Sequence, residues 1–208
     1  MILSDVLDPS DAARVVLPQS CSDKLNIHGE GVVLGFPPSF PRNYDEYLSL
    51  GFAKKHVTRE LMDELLHERV IDFGWKGPNL IVNAGLLQII NLVTGNVAGY
   101  TQSPPAQWFA FAGVGSGTTT PASGDTDLTG PYIGSRLQCS AAYNINSNVA
   151  KFDTFVSPPT WQGTWYECGN FTSITTGAGA MGSHLLINAP SGYLKGNNSA
   201  ILDIQWTI

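Results

Sequence analysis

The chain has 208 residues, of which 43% are hydrophobic and 10% aromatic, so it is long enough to bury a substantial core. Its net charge of −6 argues against a nucleic-acid or anionic-membrane partner, because either would need a basic surface. No apolar run approaches the roughly 18 residues of a membrane span, and the N-terminus lacks the pattern of a signal peptide. The three cysteines, Cys21, Cys139 and Cys168, are too widely spaced to indicate a metal site or a disulfide framework. We therefore expect synthesis in a reducing cytoplasm.

Charged residues are concentrated in the first third of the chain. Residues 1–75 carry 7 basic and 12 acidic side chains, whereas residues 76–208 carry only 4 and 5. A surface with so few charges is unusual for a soluble domain, and it suits coverage by neighbouring subunits.

The N-terminal segment reads as an extended arm with little structure of its own. Its prolines break any long helix, although the pattern predicts a short helix from Ser10 to Val16 and a short strand at Val32–Leu34. The turn-forming segment Gly74–Pro78 predicts a domain boundary. We therefore expect an anchoring arm with one helix over residues 1–75 and a β-module over residues 76–208.

Two helices are predicted with clear start signals. Thr58 is a suitable N-cap for a helix over residues 58–69, whose leucines recur at helical spacing. His67 resembles the start of a zinc-binding H-E-x-x-H motif, but Ile71 stands where the second histidine belongs, so His67 is interpreted as a solvated helix residue. The second helix, Asn83–Gly95, is apolar nearly all round and should be well buried.

The second half of the chain has a β pattern. It alternates most clearly at the C-terminus, where Leu202, Ile204 and Trp206 share one face and Ile201 is the apolar exception on the other. Short strands separated by Gly, Pro, Ser and Asn turns predict an antiparallel β-sandwich. The predicted strands are Trp108–Val114, Ile133–Ile145, Val149–Val156, Thr164–Phe171, His184–Ile187 and Ala200–Ile208.

A glycine-rich loop between Trp108 and Leu128 is the most distinctive stretch. Gly113, Gly115 and Gly117 suggest a phosphate loop, but no lysine and no helix follow them, so the motif fails. The glycines are instead interpreted as conformational freedom for a tight loop that continues through Pro121.

Asp125 to Gly130 matches the first half of a calcium loop. Position twelve of that loop would be Arg136, which would repel the ion. Asp125 and Asp127 are therefore interpreted mainly as turn formers that accept hydrogen bonds from nearby backbone, although a calcium site of another geometry is left open. We predict no metal and no cofactor.

The sequence offers little for catalysis. Asp125, Asp127, Asp153, Glu167 and Asp203 are the only acidic residues after residue 76, and no G-x-S-x-G elbow is present. His184 has no obvious acidic partner, so a structural role is favoured. We therefore predict a protein without enzymatic activity.

The tryptophans leave one binding hypothesis open. Trp161 and Trp165 could form a stacking platform for a sugar, which would make the chain a carbohydrate-binding adhesin module. Burial in a core or at a subunit interface is the commoner use of such rings, and it is the favoured interpretation.

Four pieces of the chain, in order, resemble a module of tailed-bacteriophage virion proteins over residues 79–208. They are a helix opened by Asn83, the glycine loop through Leu128, an E-x-G-x-F strand and a closing strand that contains Trp206. The motif residues are Gly113, Gly115, Gly117, Pro121, Asp125, Leu128, Glu167, Gly169, Phe171 and Trp206.

The resemblance implies a structural, non-enzymatic virion component that is synthesised in the host bacterial cytoplasm. Its expected partners are other virion proteins of the tail, collar or capsid, and further copies of itself, with a trimer as the implied state. A tail-associated or fibre protein is the first expectation, and a capsid decoration or head-fibre protein is the alternative.

Overall fold

The computed structural model describes residues 27–94, 109–146 and 149–207. Their secondary structure is mainly antiparallel β, with three helices in the described ranges. The helices are α1 (Tyr44–Ser49), α2 (Arg59–His67) and α3 (Asn83–Thr94). The strands are β1 (His28–Gly35), β2 (Phe73–Ile81), β3 (Phe111–Gly115), β4 (Leu137–Gln138), β5 (Ala141–Asn146), β6 (Val149–Val156), β7 (Gly163–Trp165), β8 (Glu167–Phe171), β9 (Met181–Leu186), β10 (Tyr193–Lys195) and β11 (Ala200–Thr207).

Nine of these strands form one antiparallel sheet in the order β4-β3-β8-β9-β2-β1-β11-β6-β5. The last strand, β11, lies between β1 and β6 and is paired along its whole length on both sides. β2 joins the two halves of the sheet, because it pairs with β1 over Phe73–Asn79 and with β9 at Leu80 and Ile81. β7 and β10 form a separate two-stranded sheet.

The main core lies between the two halves of the sheet. Val33, Leu202 and Trp206 from one half share a cluster with Val114 and Leu185 from the other. The sheet therefore curls until its halves face each other, and the alternating apolar face of β11 points into the space between them.

A second core lies on the outer face of β1 and β11, beneath the two N-terminal helices. Tyr47 of α1 and Met62 and Leu65 of α2 pack there against Val32 and Ile201. Ile201 is apolar for this reason: its face of β11 is covered by helices and not by water.

The predicted division at residue 75 is wrong for the described residues. The segment Gly74–Pro78 is part of β2, and β1 and both N-terminal helices are integral to the sheet and its second core. A glycine is needed at position 77 because the ring of Trp75 lies only 2.3 Å from where a Cβ would be. The next residue, Pro78, pairs with Glu30 of β1. The predicted helix from Ser10 to Val16 lies outside the described residues.

Most other predicted elements are confirmed with adjusted bounds. α2 begins after Thr58, whose side chain accepts a hydrogen bond from the Leu61 N–H, and His67 is exposed. α3 begins at Asn83 as predicted, but Leu87 is 57% exposed, so the helix is not buried all round. No helix in the described ranges is both long and apolar enough to cross a membrane.

Three expected features of the strands and helices are wrong. The predicted strand Ile133–Ile145 is interrupted and gives β4 and β5, and Thr164–Phe171 divides into β7 and β8. These two pieces belong to different sheets, since β7 pairs with β10 and β8 with β3 and β9. The described ranges contain three helices, whereas the sequence predicts two there. The additional helix is α1, which lies in the predicted extended arm.

Candidate functional site

The glycine loop after β3 closes over the carboxylate of Glu167 at the start of β8. Oε1 of Glu167 accepts hydrogen bonds from the N–H groups of Gly117 and Gly130 at 2.9 and 2.8 Å. Oε2 accepts from the N–H and the hydroxyl of Thr129, both at 2.9 Å. A single buried side chain therefore holds both ends of the loop between residues 117 and 130.

The loop glycines are required by close packing and not by backbone conformation. None of Gly113, Gly115 and Gly117 has a positive φ, which corrects the interpretation of these residues as sites of conformational freedom. A Cβ on Gly117 would lie 2.2 Å from Oγ1 of Thr129 and 2.3 Å from Oε1 of Glu167. The missing side chains of Gly115 and Gly117 make room for the Glu167 carboxylate, and that of Gly113 makes room for the ring of Tyr132.

His184 of β9 connects this carboxylate to a second one. Its Nε2 lies 2.9 Å from Oε2 of Glu167, and its Nδ1 lies 2.6 Å from Oδ2 of Asp125. The absence of an obvious acidic partner, expected from the sequence, is thus wrong. Because both ring nitrogens face carboxylate oxygens, the imidazolium that donates from both positions fits the site best.

Burial and hydrogen bonding oppose each other in this network. Burial alone would raise the pKa of Glu167, but hydrogen bonds from His184, Thr129 and Gly130 lower that pKa to about 2. Burial would likewise lower the pKa of His184, but the bonds to Glu167 and Asp125 raise it above its ordinary value. The stable form is an anionic Glu167 beside a cationic His184.

Arg136 organises the other side of the same loop. Its buried guanidinium donates to Oδ1 of Asp127 at 2.9 Å and to the hydroxyl of Tyr132. The Arg136 side chain also lies over the ring of Phe171, with 3.5 Å between Cζ and the ring centroid. Three further hydrogen bonds go to carbonyls of the turn between β8 and β9, those of Ser173, Thr175 and Ala178.

Of the residues compared with a calcium loop in the sequence, Asp127 and Arg136 bind each other, and Asp125 binds the nearby backbone. Arg136 stands at the expected ligand position and pairs with Asp127 in place of an ion. Oδ2 of Asp125 accepts from the Ala122 N–H, and Oδ1 of Asp127 accepts from the Leu128 N–H, so both aspartates accept hydrogen bonds from nearby backbone. No group of three or more His, Cys, Asp or Glu side chains in the described ranges is arranged to hold a metal ion.

The network resembles part of a hydrolytic triad, but it lacks the geometry of one. A triad needs one ring nitrogen of the histidine on a nucleophilic hydroxyl or thiol, with an acid on the other. Both nitrogens of His184 are bonded to carboxylates, and both His184 and Glu167 are completely buried. The arrangement can hold loops together, and neither ring nitrogen of His184 is bonded to a nucleophilic hydroxyl or thiol.

A groove of about 660 Å³ opens beside the network, between β1, β2 and the glycine loop. Its walls are mainly apolar, with Leu80, Leu86 and Leu186 among them, and His184 contributes to its lining. At one end the Asn79 side chain is 4% exposed, and its amide atoms have no hydrogen-bond partner among the described residues. No pattern in the sequence predicts this groove.

Trp161 and Trp165 are part of the main core. Their exposed fractions are 5% and 0%, and their rings pack edge to face with centroids 5.7 Å apart. The indole N–H of Trp161 donates to the Ser135 carbonyl, and that of Trp165 donates to the Trp161 carbonyl. A sugar could not stack on either ring without opening the core, so the favoured interpretation of these rings as buried is confirmed and the stacking hypothesis is wrong.

The structure brings together most of the motif residues named from the sequence. Gly113, Gly115, Gly117, Leu128, Glu167, Gly169 and Phe171 lie in or around the network of β3, β8 and the loop. Pro121 lines the groove and Asp125 is bonded to His184, whereas Trp206 is in the main core with Phe109 and Phe152. Sequence reasoning missed the roles of Arg136, His184, Thr129 and Tyr132. Comparisons with protein-family models, with curated proteins and with solved structures find no match to this chain.

Proposed function

We propose that the chain is a non-enzymatic structural component of a tailed-phage virion, tail-associated or part of a fibre. The residues that precede β1 would attach it to other virion proteins. The two facing halves of the curled sheet would act as a β-sandwich that presents flat surfaces to neighbouring subunits.

The observation that carries this proposal is how the motif residues are used. Glu167 is the first residue of the E-x-G-x-F strand, and both of its carboxylate oxygens are hydrogen-bonded to the glycine loop or to His184. The motif therefore builds a fixed shape around buried polar groups and leaves no reactive group exposed. Such a shape suits a repeated assembly module, which must present the same surface in every copy.

The distribution of charge supports assembly as well. Nine charged residues follow residue 75. Six of them are buried: Arg136, Lys151, Asp153, Glu167, Lys195 and Asp203. The other three have side chains that are exposed by only 12% at Lys76, 18% at Asp125 and 33% at Asp127. The part of the surface that residues 76–207 form therefore carries little charge, and it opposes close contact between copies very little.

The experiment is to locate the chain in particles of the phage that encodes it. Mass spectrometry of gradient-purified virions should detect the protein at a fixed ratio to the major capsid protein, and labelled antibody should mark the tail or a fibre. Label on the capsid face would favour the decoration or head-fibre alternative within the same proposal. Absence of the chain from intact virions would refute the structural role.

Oligomerisation gives an independent check. Light scattering of the purified full chain should show a discrete oligomer, with a trimer expected from the resemblance. A strict monomer at high micromolar concentration would contradict the inference that the low surface charge serves contact between copies of the chain.

A further inference from the structure

Three charged side chains meet in a dry pocket on the outer face of β6 and β11. Lys151 and Asp153 are two residues apart on β6, and Asp203 on β11 lies directly opposite Asp153 in the strand register. All three point away from the main core and lie at the edge of the second core. Their side chains are exposed by 0%, 0% and 1%.

The lysine amine is close to both carboxylates. Nζ of Lys151 lies 3.2 Å from Oδ2 of Asp203 and 3.4 Å from Oδ1 of Asp153, and it donates to the Ala53 carbonyl at 2.7 Å. Oδ2 of Asp203 also accepts from Nε2 of Gln205 at 2.8 Å, whereas Oδ1 of Asp203 has no hydrogen-bond partner among the described residues. The Asp203 carboxyl is therefore held on one side and unsupported on the other.

The two carboxyl groups differ in what surrounds them. The Tyr44 hydroxyl donates to Oδ2 of Asp153 at 3.0 Å. Burial and the charge of Asp153 raise the pKa of Asp203 to about 7, and Lys151 opposes both. The site thus places two carboxyl groups and an amine within contact distance of one another.

We propose that Nζ of Lys151 and Cγ of Asp203 form an intramolecular isopeptide bond that links β6 to β11, with Asp153 as the proton-transfer group. Asp153 takes one proton from the Lys151 ammonium, and the free amine attacks Cγ of Asp203. Asp153 returns this proton to the departing Asp203 hydroxyl, which leaves as water, and then takes the second proton from the nitrogen, so that Asp153 ends as a neutral carboxylic acid. One C–N bond forms and one C–O bond breaks, no electrons are transferred, and no co-reactant is required.

Two features of the pocket favour this condensation. The paired strands hold the amine and the carboxyl in place, and well-oriented intramolecular reactions reach effective concentrations of about 10⁵ M or more. The pocket also excludes the water that would reverse the reaction, and the product replaces two buried charges by a neutral amide.

A second buried lysine shows what is particular to the site. Lys195 is 1% exposed, but its Nζ donates to the carbonyls of Ser157 and Pro158, and no salt bridge joins it to a carboxylate in the described ranges. It therefore provides a matched control with equal burial and without an acyl partner.

The test is the mass of the full-length chain, measured after denaturation. The wild-type chain should be lighter than its sequence mass by about 18 Da, one water. K151M, D203A and D153N should each have the full mass expected from their sequences, whereas K195M should retain the loss. A wild-type chain of full mass, or a loss that persists in K151M, would overturn the proposal.

Peptide mapping of the wild-type chain gives an answer even if the variants do not fold. Trypsin should fail to cut after Lys151, and the C-terminal peptide 196–208 should be recovered attached to peptide 137–195. A succinimide also removes one water, but it leaves these peptides separate and is reversed by mild alkali. Recovery of peptide 196–208 only in its free form would contradict the cross-link.

Discussion

Glu167 is the residue whose loss should cost most at the loop. In Glu167→Gln the new amide group would face N–H donors of the glycine loop, and His184 would lose one of its two anionic partners. Removing one partner from such a buried network costs about 3 to 5 kcal/mol in the free energy of unfolding. Urea denaturation of the wild type and the variant measures this cost. A change below about 1 kcal/mol would mean that the loop is held by other contacts.

His184 gives the network a dependence on pH with a definite sign. Its pKa is raised in the folded state, so its stabilising contribution is complete below about pH 6.5 and is lost as the pH rises through the raised value. The pKa of Glu167 is lowered, so its contribution is present above about pH 4.5 and is lost as the pH falls towards 2. The network should therefore stabilise the fold most in the mildly acidic range between these limits.

The variant His184→Gln isolates the alkaline side of this dependence. The free energy of unfolding of the wild type should fall between about pH 6 and pH 9, and that of the variant should be lower at pH 6 and change less over this range. His67→Gln, at an exposed helix position, is the matched control and should keep the wild-type slope. Parallel slopes for the wild type and His184→Gln would show that His184 does not carry the proton.

At the level of single elements, the sequence was most informative where one face of a strand or helix is uniform. The alternation of β11 and the Thr58 cap of α2 are local patterns, and both elements were predicted almost to the residue. β2 was missed because Gly74, Gly77 and Pro78 are residues typical of turns. Their place in a strand depends on distant groups, such as the Met62 side chain against Gly74, which no local pattern contains.

Truncation of β11 tests the element that the sequence specified best. The strand is paired with both β1 and β6, and Trp206 packs against Phe109 and Phe152 in the main core. Trp206→Ala should lower the free energy of unfolding by about 3 to 5 kcal/mol, and removal of residues 206–208 should lower it at least as much. Leu194→Ala, at a side chain that is 73% exposed, should change it by less than about 0.5 kcal/mol. An unchanged melting temperature on truncation would contradict the central position of β11.

At the scale of the whole molecule, the candidate site could be predicted only in part. The sequence indicated that the glycines, Glu167 and Phe171 belong together, through their order along the chain. It could not show that His184 meets Asp125 across 59 positions, or that Arg136 reaches carbonyls about 40 positions away. Those contacts follow from the pairing of β8 with β3 and β9, which is a property of the folded sheet.

The place of β1 in the sheet changes what the N-terminal third of the chain is expected to do. Because β1 separates β2 from β11 and supports the second core, residues 76–208 expressed alone should not fold. Such a fragment would leave one edge of β11 unpaired and the apolar side of Ile201 uncovered. Circular dichroism and a cooperative melting transition would measure this, and a stable fragment 76–208 would restore the domain boundary at residue 75.

A chain that begins at Ile27 is the matched comparison, and it separates folding from attachment. It keeps every described element, so it should melt as a cooperative unit within a few degrees of the full chain. Under the proposed function it should nevertheless fail to incorporate when supplied to particles assembled without the native protein, because the attachment segment is gone. Normal incorporation of this shortened chain would place the attachment surface on the folded sheet instead.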